Sequence, residues 1–155
     1  MINIETGKEL KLENVLSLRK KMTEMDVHQE MVKIGKFIED NGIVKTGPVI
    51  TATFTVEQAN GQQLLDMEIL VPINKKIGNI GGYKTKDIFH LVNAIYARHH
   101  GNPNLLQNVY QEMIGYMQRN NLQQITPGYN AGPGDRLSVP LFCINFKTSV
   151  INYAK

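Results

Sequence analysis

The sequence predicts an α+β fold: a β-α-β-β unit occurring twice, its copies forming one antiparallel sheet with two helices on one face about a pseudo-twofold axis. The first observation behind this is a repeat. Gly35 to Pro48 (GKFIEDNGIVKTGP) returns as Ile114 to Pro127 (IGYMQRNNLQQITP), and subtracting 79 carries Met113 onto Ile34, Tyr116 onto Phe37, Met117 onto Ile38, Asn120 onto Asn41, Leu122 onto Ile43 and Pro127 onto Pro48. Backwards, the same offset places Tyr110 on Met31, Leu106 on Val27, Asn102 on Thr23 and Arg98 on Arg19, so a whole structural unit is repeated. The second observation is that helical and strand periodicities follow one another in the same order in each half.

Taken in order, Leu10 to Met22 alternates as a first strand and ends in Arg19, Lys20 and Lys21, a solvated basic cluster. Thr23 offers a helix cap, with Asp26 as an acidic variant of the capping box. Val27, Met31, Ile34 and Ile38, with Phe37 beside them, give the helix one apolar face, and Asn41 and Gly42 end it. Val49 to Gln58 is rich in β-branched residues, Asn60-Gly61 favours a hairpin turn, and Leu64 to Ile73 returns. On that returning strand Leu65, Met67, Ile69 and Val71 should meet the helices, leaving Asp66 and Glu68 on the opposite face.

Three glycines and four lysines in Asn74 to Lys86 read as a connection, so the chain is expected to be one domain, 1–155, with halves of about 1–74 and 87–155 and a linker 75–86. Ile88 to Arg98 reads as a strand, with Ile88, His90, Val92, Ala94, Tyr96 and Arg98 on one face. Asn102-Pro103 marks the second helix start, and Leu106, Tyr110, Met113 and Met117 repeat the apolar face of the first. Leu122 to Tyr129 should be a strand, Gly132 to Asp135 a tight loop, and Arg136 to Val150 the last strand, apolar on both faces.

Composition narrows the function. A chain of 155 residues, 42% hydrophobic and 20% charged, is an ordinary globular domain, and a net charge of +3 without a long basic tract does not make a nucleic-acid footprint. No stretch approaches the ~18 apolar residues of a membrane span, and the N-terminus lacks the apolar core of a signal peptide. Cys143 is the single cysteine, so the simplest setting is cytoplasmic and reducing, with a buried inert thiol. His99 and His100 point to opposite faces of a strand, and His28 and His90 have no visible partner, so neither a metal nor another cofactor is expected. Gly78, Gly81 and Gly82 lack the Gly-Lys-Ser/Thr of a phosphate loop, and no serine sits in a nucleophile elbow. The seven methionines read as adaptable core.

Two readings of Asp66 and Glu68 stay open. The plain one is a solvated sheet face. The functional one is a cleft in which a carboxylate and the aromatic candidates Tyr96, Tyr129 and Phe54 hold a flat cation by charge and ring-face attraction.

Three stretches carry a resemblance: NGIVKTGPVI, the acidic strand LDMEILVPI, and AIYARHHGNPNLLQNVYQEMIGYMQRNN. Together they resemble the GyrI-like, BmrR-type effector-binding domain family, and more narrowly short proteins of Gram-positive bacteria encoded near LXG-type toxins of type VII secretion. The resemblance implies a cleft for amphipathic or cationic molecules, with Glu68 matching the family's acidic strand residue and Tyr129 the tyrosine after the second-half proline. It departs at Thr126-Pro127-Gly128-Tyr129, where the glutamate often found before that tyrosine is absent. Some relatives are hydrolases that use an acid and a tyrosine, which here would be Glu68 and Tyr129, but the preferred expectation is non-enzymatic.

The expectation is therefore a stand-alone ligand-binding protein, related to transcription regulation, that senses a small amphipathic or cationic molecule without direct nucleic-acid or membrane binding. The alternative is an accessory, adaptor or chaperone for an LXG-type toxin or secretion partner, with the doubly apolar last strand covered by polypeptide. A homodimer would supply the same cover.

Overall fold

Thr23 ends a strand and starts a helix, and both halves of the predicted capping box form: Thr23 Oγ1 accepts from the Asp26 amide at 3.2 Å, and Asp26 Oδ2 accepts from the Thr23 amide at 3.1 Å. The computed structural model describes residues 3–98, 106–124, 126–131 and 141–148. His99, His100, the Asn102-Pro103 cap, the loop Gly132 to Asp135 and the predicted strand ends at 136–140 and 149–150 lie outside the described residues, as do the side chains of residues 141–148. The elements are β1 (Ile4–Met22), α1 (Glu24–Asp40), β2 (Ile50–Ala59), β3 (Gln62–Pro72), β4 (Lys84–Arg98), α2 (Leu106–Arg119), β5 (Leu122–Gln124), β6 (Tyr129–Ala131) and β7 (Leu141–Thr148). The fold is α+β with antiparallel strands and two helices, as predicted. The chain divides into two compact units, Lys11–Phe89 and Met1–Leu10 with His90–Lys155, called here the first and second units.

In the first unit β3 runs between β1 and β2, antiparallel to both. The β2–β3 turn is made by Asn60 (φ 51°) and Gly61 (φ 77°), the two positive values a tight hairpin needs. Met67, Ile69 and Val71 of β3 are buried with Leu16, Met22, Ile34, Ile43, Ile73 and Tyr83, and Val27, Phe37, Ile38 and Leu65 pack against this core. Each such fully buried side chain contributes about 1.5–3 kcal/mol.

The predicted linker is more ordered than its composition suggested. Its last three residues, Lys84–Lys86, already belong to β4, and Tyr83 is buried with its ring 4.8 Å from that of Phe37. Gly81 makes this possible: at φ +65°, a Cβ there would come within 2.7 Å of Phe37 Cε2. Thr85 ties the loop from the other side, donating from its hydroxyl to the Gly78 carbonyl at 2.6 Å.

In the second unit Val109, Met113 and Met117 of α2 pack with Ile95 and Ala97 of β4, with Tyr110, Tyr116 and Leu122 around them. The predicted strand Leu122 to Tyr129 is two short strands, β5 and β6, each antiparallel to β7. Pro127 and Gly128 fall between them, where a missing donor and a missing side chain interrupt a ladder.

Corresponding features recur at the offset of 79. Asn41 Nδ2 donates to the Phe37 carbonyl at 2.8 Å, and Asn120 Nδ2 donates to the Tyr116 carbonyl at the same distance. Gly42 (φ 63°) and Asn121 (φ 53°) follow those caps in the left-handed region, and Asn14 and Asn93 both have φ 53° within strands. Asn93 corrects the predicted face of β4: Phe89 and Leu91 are buried and Val92 exposed, but beyond Asn93 both Ala94 and Ile95 are buried. A left-handed residue re-aims the strand as a bulge does, and simple alternation does not survive it.

Candidate functional site

The face of β3 that carries Asp66 and Glu68 is not the solvated surface of the plain reading. Leu70, Ile50, Ala52 and Val15 on that face are buried, and Glu68 is only 6% exposed. A carboxylate so placed is costly unless paired and hydrogen-bonded. Glu68 is both: Ser17 Oγ donates to its Oε2 at 2.7 Å, and Lys86 Nζ donates to the same oxygen at 2.7 Å. Strand register explains the serine, since Ser17 opposes Leu70 and Arg19 opposes Glu68, one pleat along on the same face. Lys86 comes from the start of β4, its side chain 39% exposed and its ammonium 5.7 Å from the Phe89 ring centre.

Asp66 is engaged by Arg19, which donates from Nε to Oδ1 at 3.2 Å and from Nη2 to Oδ2 at 3.1 Å. This two-point pairing, helped by the guanidinium charge, holds the Asp66 carboxyl below its ordinary value. The same guanidinium lies 3.6 Å from the centre of the Phe54 ring. Phe54 reaches it from a break in the β2–β3 register between Thr53 and Thr55. Lys21 pairs separately with Glu57 at 2.9 Å.

The other two predicted residues form a row in the second unit. Tyr96 of β4 and Tyr129 of β6 both oppose Cys143 of β7, so the two tyrosines share one sheet face with one strand between them. Tyr129 is buried and Tyr96 half-buried. Behind this row the Tyr110 hydroxyl donates to Asn130 Oδ1 at 2.8 Å, and burial raises the Tyr110 pKa. Gly128 lies against the same ring, where a Cβ would stand 3.2 Å from Tyr110 Cε1.

Within each unit, then, predicted residues are brought together: Glu68, Asp66 and Phe54 in the first, Tyr96 and Tyr129 in the second. Sequence reasoning missed the three partners, Ser17, Arg19 and Lys86. The alternation of Ser17 and Arg19 on β1 was a usable signal, whereas Lys86 sat in a run read as linker. His90 also has a partner after all, Glu9 Oε1 at 2.8 Å. Two surface depressions, one lined by Lys11–Asn14, Thr46 and Pro72–Asn74 and the other by Thr23–Asp26, His28, Gln62 and Gln63, involve none of the predicted site residues. Among the described residues no group of three His, Cys, Asp or Glu side chains could hold a metal ion, and no helix is long and apolar enough to cross a membrane.

The architecture is consistent with a GyrI-like fold. The crystal structure of the EcmrR C-terminal domain matches with a TM-score of 0.75 at 15% identity, over 96% of this chain and 99% of that domain. The cryo-EM EcmrR–DNA complex in EcmrR-RPo matches with a TM-score of 0.75 at 14% identity, over 95% of this chain, which spans only 58% of that longer protein. A hydrolase from Listeria innocua shares the fold with a TM-score of 0.61 at 10% identity, over 94% of this chain and 91% of that one. Identities this low show a common fold and no more. Among curated proteins none matches. Residues 12–150 match the family described as a domain of unknown function, DUF5085, and the chain belongs to that family.

Proposed function

We propose that the protein is a non-enzymatic, effector-binding domain related to transcription regulation, and that it binds a small amphipathic molecule. The observation that carries this is Glu68, a buried carboxylate on the acidic strand of a fold that matches essentially the whole EcmrR C-terminal domain. A protein that needed only a stable sheet would place an apolar residue there, since a buried ion pair adds little net stability over a hydrophobic one. Tyr96 and Tyr129, and the Asp66–Phe54 pair, are the further residues proposed to contribute.

Ligand that binds only the folded state raises the melting temperature by mass action. The test is a thermal-shift screen of amphipathic compounds of varied charge on the wild type and on Glu68→Gln and Tyr129→Phe variants. A saturable rise that either substitution weakens supports the proposal; no saturable rise across the panel sinks it. Should an LXG-type toxin or secretion partner then stabilise the chain where no small molecule does, the adaptor role replaces it.

A further inference from the structure

A carboxylate and an aromatic ring stand together at Asp66 and Phe54, and the chain fills the place between them with its own cation. Arg19 lies over the Phe54 ring at 3.6 Å and makes two bonds to Asp66, the geometry a flat cationic ligand would adopt. Lys86 takes the corresponding place on Glu68, at 2.7 Å from Oε2. We infer that Lys86 and Arg19 set the charge preference of this protein, and that its ligand is an uncharged amphiphile rather than a cation. The inference rests on the ligand-binding reading above.

The physical argument runs against ions of either sign. An incoming cation must approach an ammonium already seated on the buried carboxylate, and to reach Glu68 it must displace Lys86 and replace both its charge and its hydrogen bond. An incoming anion attracted by Lys86 meets the Glu68 carboxylate within bonding distance of that ammonium. Each pair, Glu68 with Lys86 and Asp66 with Arg19, sums to zero charge. Their neighbours Leu70, Ile50, Ala52 and Ser17 on the same face are themselves buried, so what the two pairs present to solvent is the partly exposed Lys86 and Arg19 side chains, each already paired with a carboxylate. Charge pairs that balance in this way favour a ligand without net charge. In the second unit the residue before Tyr129 is Gly128, and the approach of a Cβ there to within 3.2 Å of the Tyr110 ring leaves little space for a carboxylate side chain.

The experiment measures binding of three probes to the full chain: neutral Nile red, and the size-matched ions tetraphenylphosphonium and tetraphenylborate. The wild type should bind Nile red saturably and both ions at least about tenfold more weakly. Lys86→Met, with Lys86→Gln as a second variant should the first fail to fold, leaves Glu68 without its ammonium. Its affinity for tetraphenylphosphonium, taken relative to Nile red, should be at least about tenfold higher than that of the wild type. Adding Glu68→Gln should erase that gain. Wild-type protein that binds the cation as well as the neutral dye, or folded Lys86 variants that gain no cation affinity, would overturn the inference and leave the ligand-binding proposal standing. Absence of saturable binding of every probe to every folded form would instead remove that proposal itself.

Discussion

The two units solve the same structural problem with different side chains. In the first, the row Ser17–Leu70–Ile50 is followed one pleat along by Arg19–Glu68–Ala52. In the second, the outer positions at the 79-residue offset flank β7 residues in the rows Tyr96–Cys143–Tyr129 and Arg98–Leu141–Ala131, the middle residues Cys143 and Leu141 lying 73 positions after Leu70 and Glu68. A serine and a buried carboxylate thus stand where the other unit has a tyrosine and a leucine. On the helices, buried Glu30 corresponds to buried Val109. What the units keep in common lies in the backbone: the left-handed asparagines Asn14 and Asn93, the helix stops Asn41 and Asn120, and the left-handed residues after them. Where a feature serves the scaffold the units agree, and they part at the buried carboxylates Glu68 and Glu30, although both rows keep an arginine, Arg19 and Arg98.

The largest expected effect tests the charged row. Lys86→Met strands the Glu68 carboxylate and should cost about 2–3 kcal/mol in urea unfolding, whereas combining it with Glu68→Leu, the residue of the other unit's row, should recover most of that loss. Simple additivity of the two substitutions would show that Glu68 and Lys86 are not coupled.

Next come the shared backbone positions. Asn14→Ala and Asn93→Ala should each cost about 1 kcal/mol, because alanine gains nothing to offset the left-handed conformation. Asn121→Gly, copying Gly42, should stabilise by about 0.5–1 kcal/mol. Unequal costs at Asn14 and Asn93 would break the proposed equivalence of the two strands.

The smallest effect is on the helices. Lys20 lies 2.7 Å from Glu30 and, by hydrogen bond and charge, holds the Glu30 carboxyl below its ordinary value near 4.5. A lowered carboxyl contributes stability above its unfolded pKa and loses it as pH falls through the folded value. Glu30→Val, copying Val109, should therefore change stability by less than about 1 kcal/mol at neutral pH and make the decline below pH 4.5 shallower. An unchanged acid limb would remove Glu30 from that decline.

Much of the fold was legible because its signals are local. The capping box of Thr23 and Asp26 and the Asn60-Gly61 turn depend on residues within a few positions of each other and formed as predicted, and so did most of both apolar helix faces, except that Met31 is exposed and Glu30 is buried in the first helix. Position-dependent backbone states were not legible: nothing in Asn93 itself says that it is left-handed, and without that fact the faces of β4 come out wrong beyond it. The same holds for Phe54, which a register break turns toward Arg19. For the candidate site, the sequence named both carboxylates but not their occupants. Ser17 is 51 positions from Glu68 and Arg19 is 47 from Asp66, so their contacts exist only once β1 pairs with β3. Lys86 was hidden by its setting, since a lysine after a glycine-rich run gives no sign that a strand starts two residues before it.

The uneven placement of the aromatic hydroxyls has an optical consequence. The sequence holds six tyrosines and no tryptophan, and Tyr83 is the only tyrosine in the first unit. Ultraviolet emission from the native chain is therefore weighted toward the second unit, and a dye or metabolite that quenches it reports on Tyr96, Tyr129 and their neighbours before it reports on Glu68. A tryptophan at Phe54 would place a separately excitable lamp beneath the Arg19 guanidinium, so that one cuvette could follow the two units at two wavelengths.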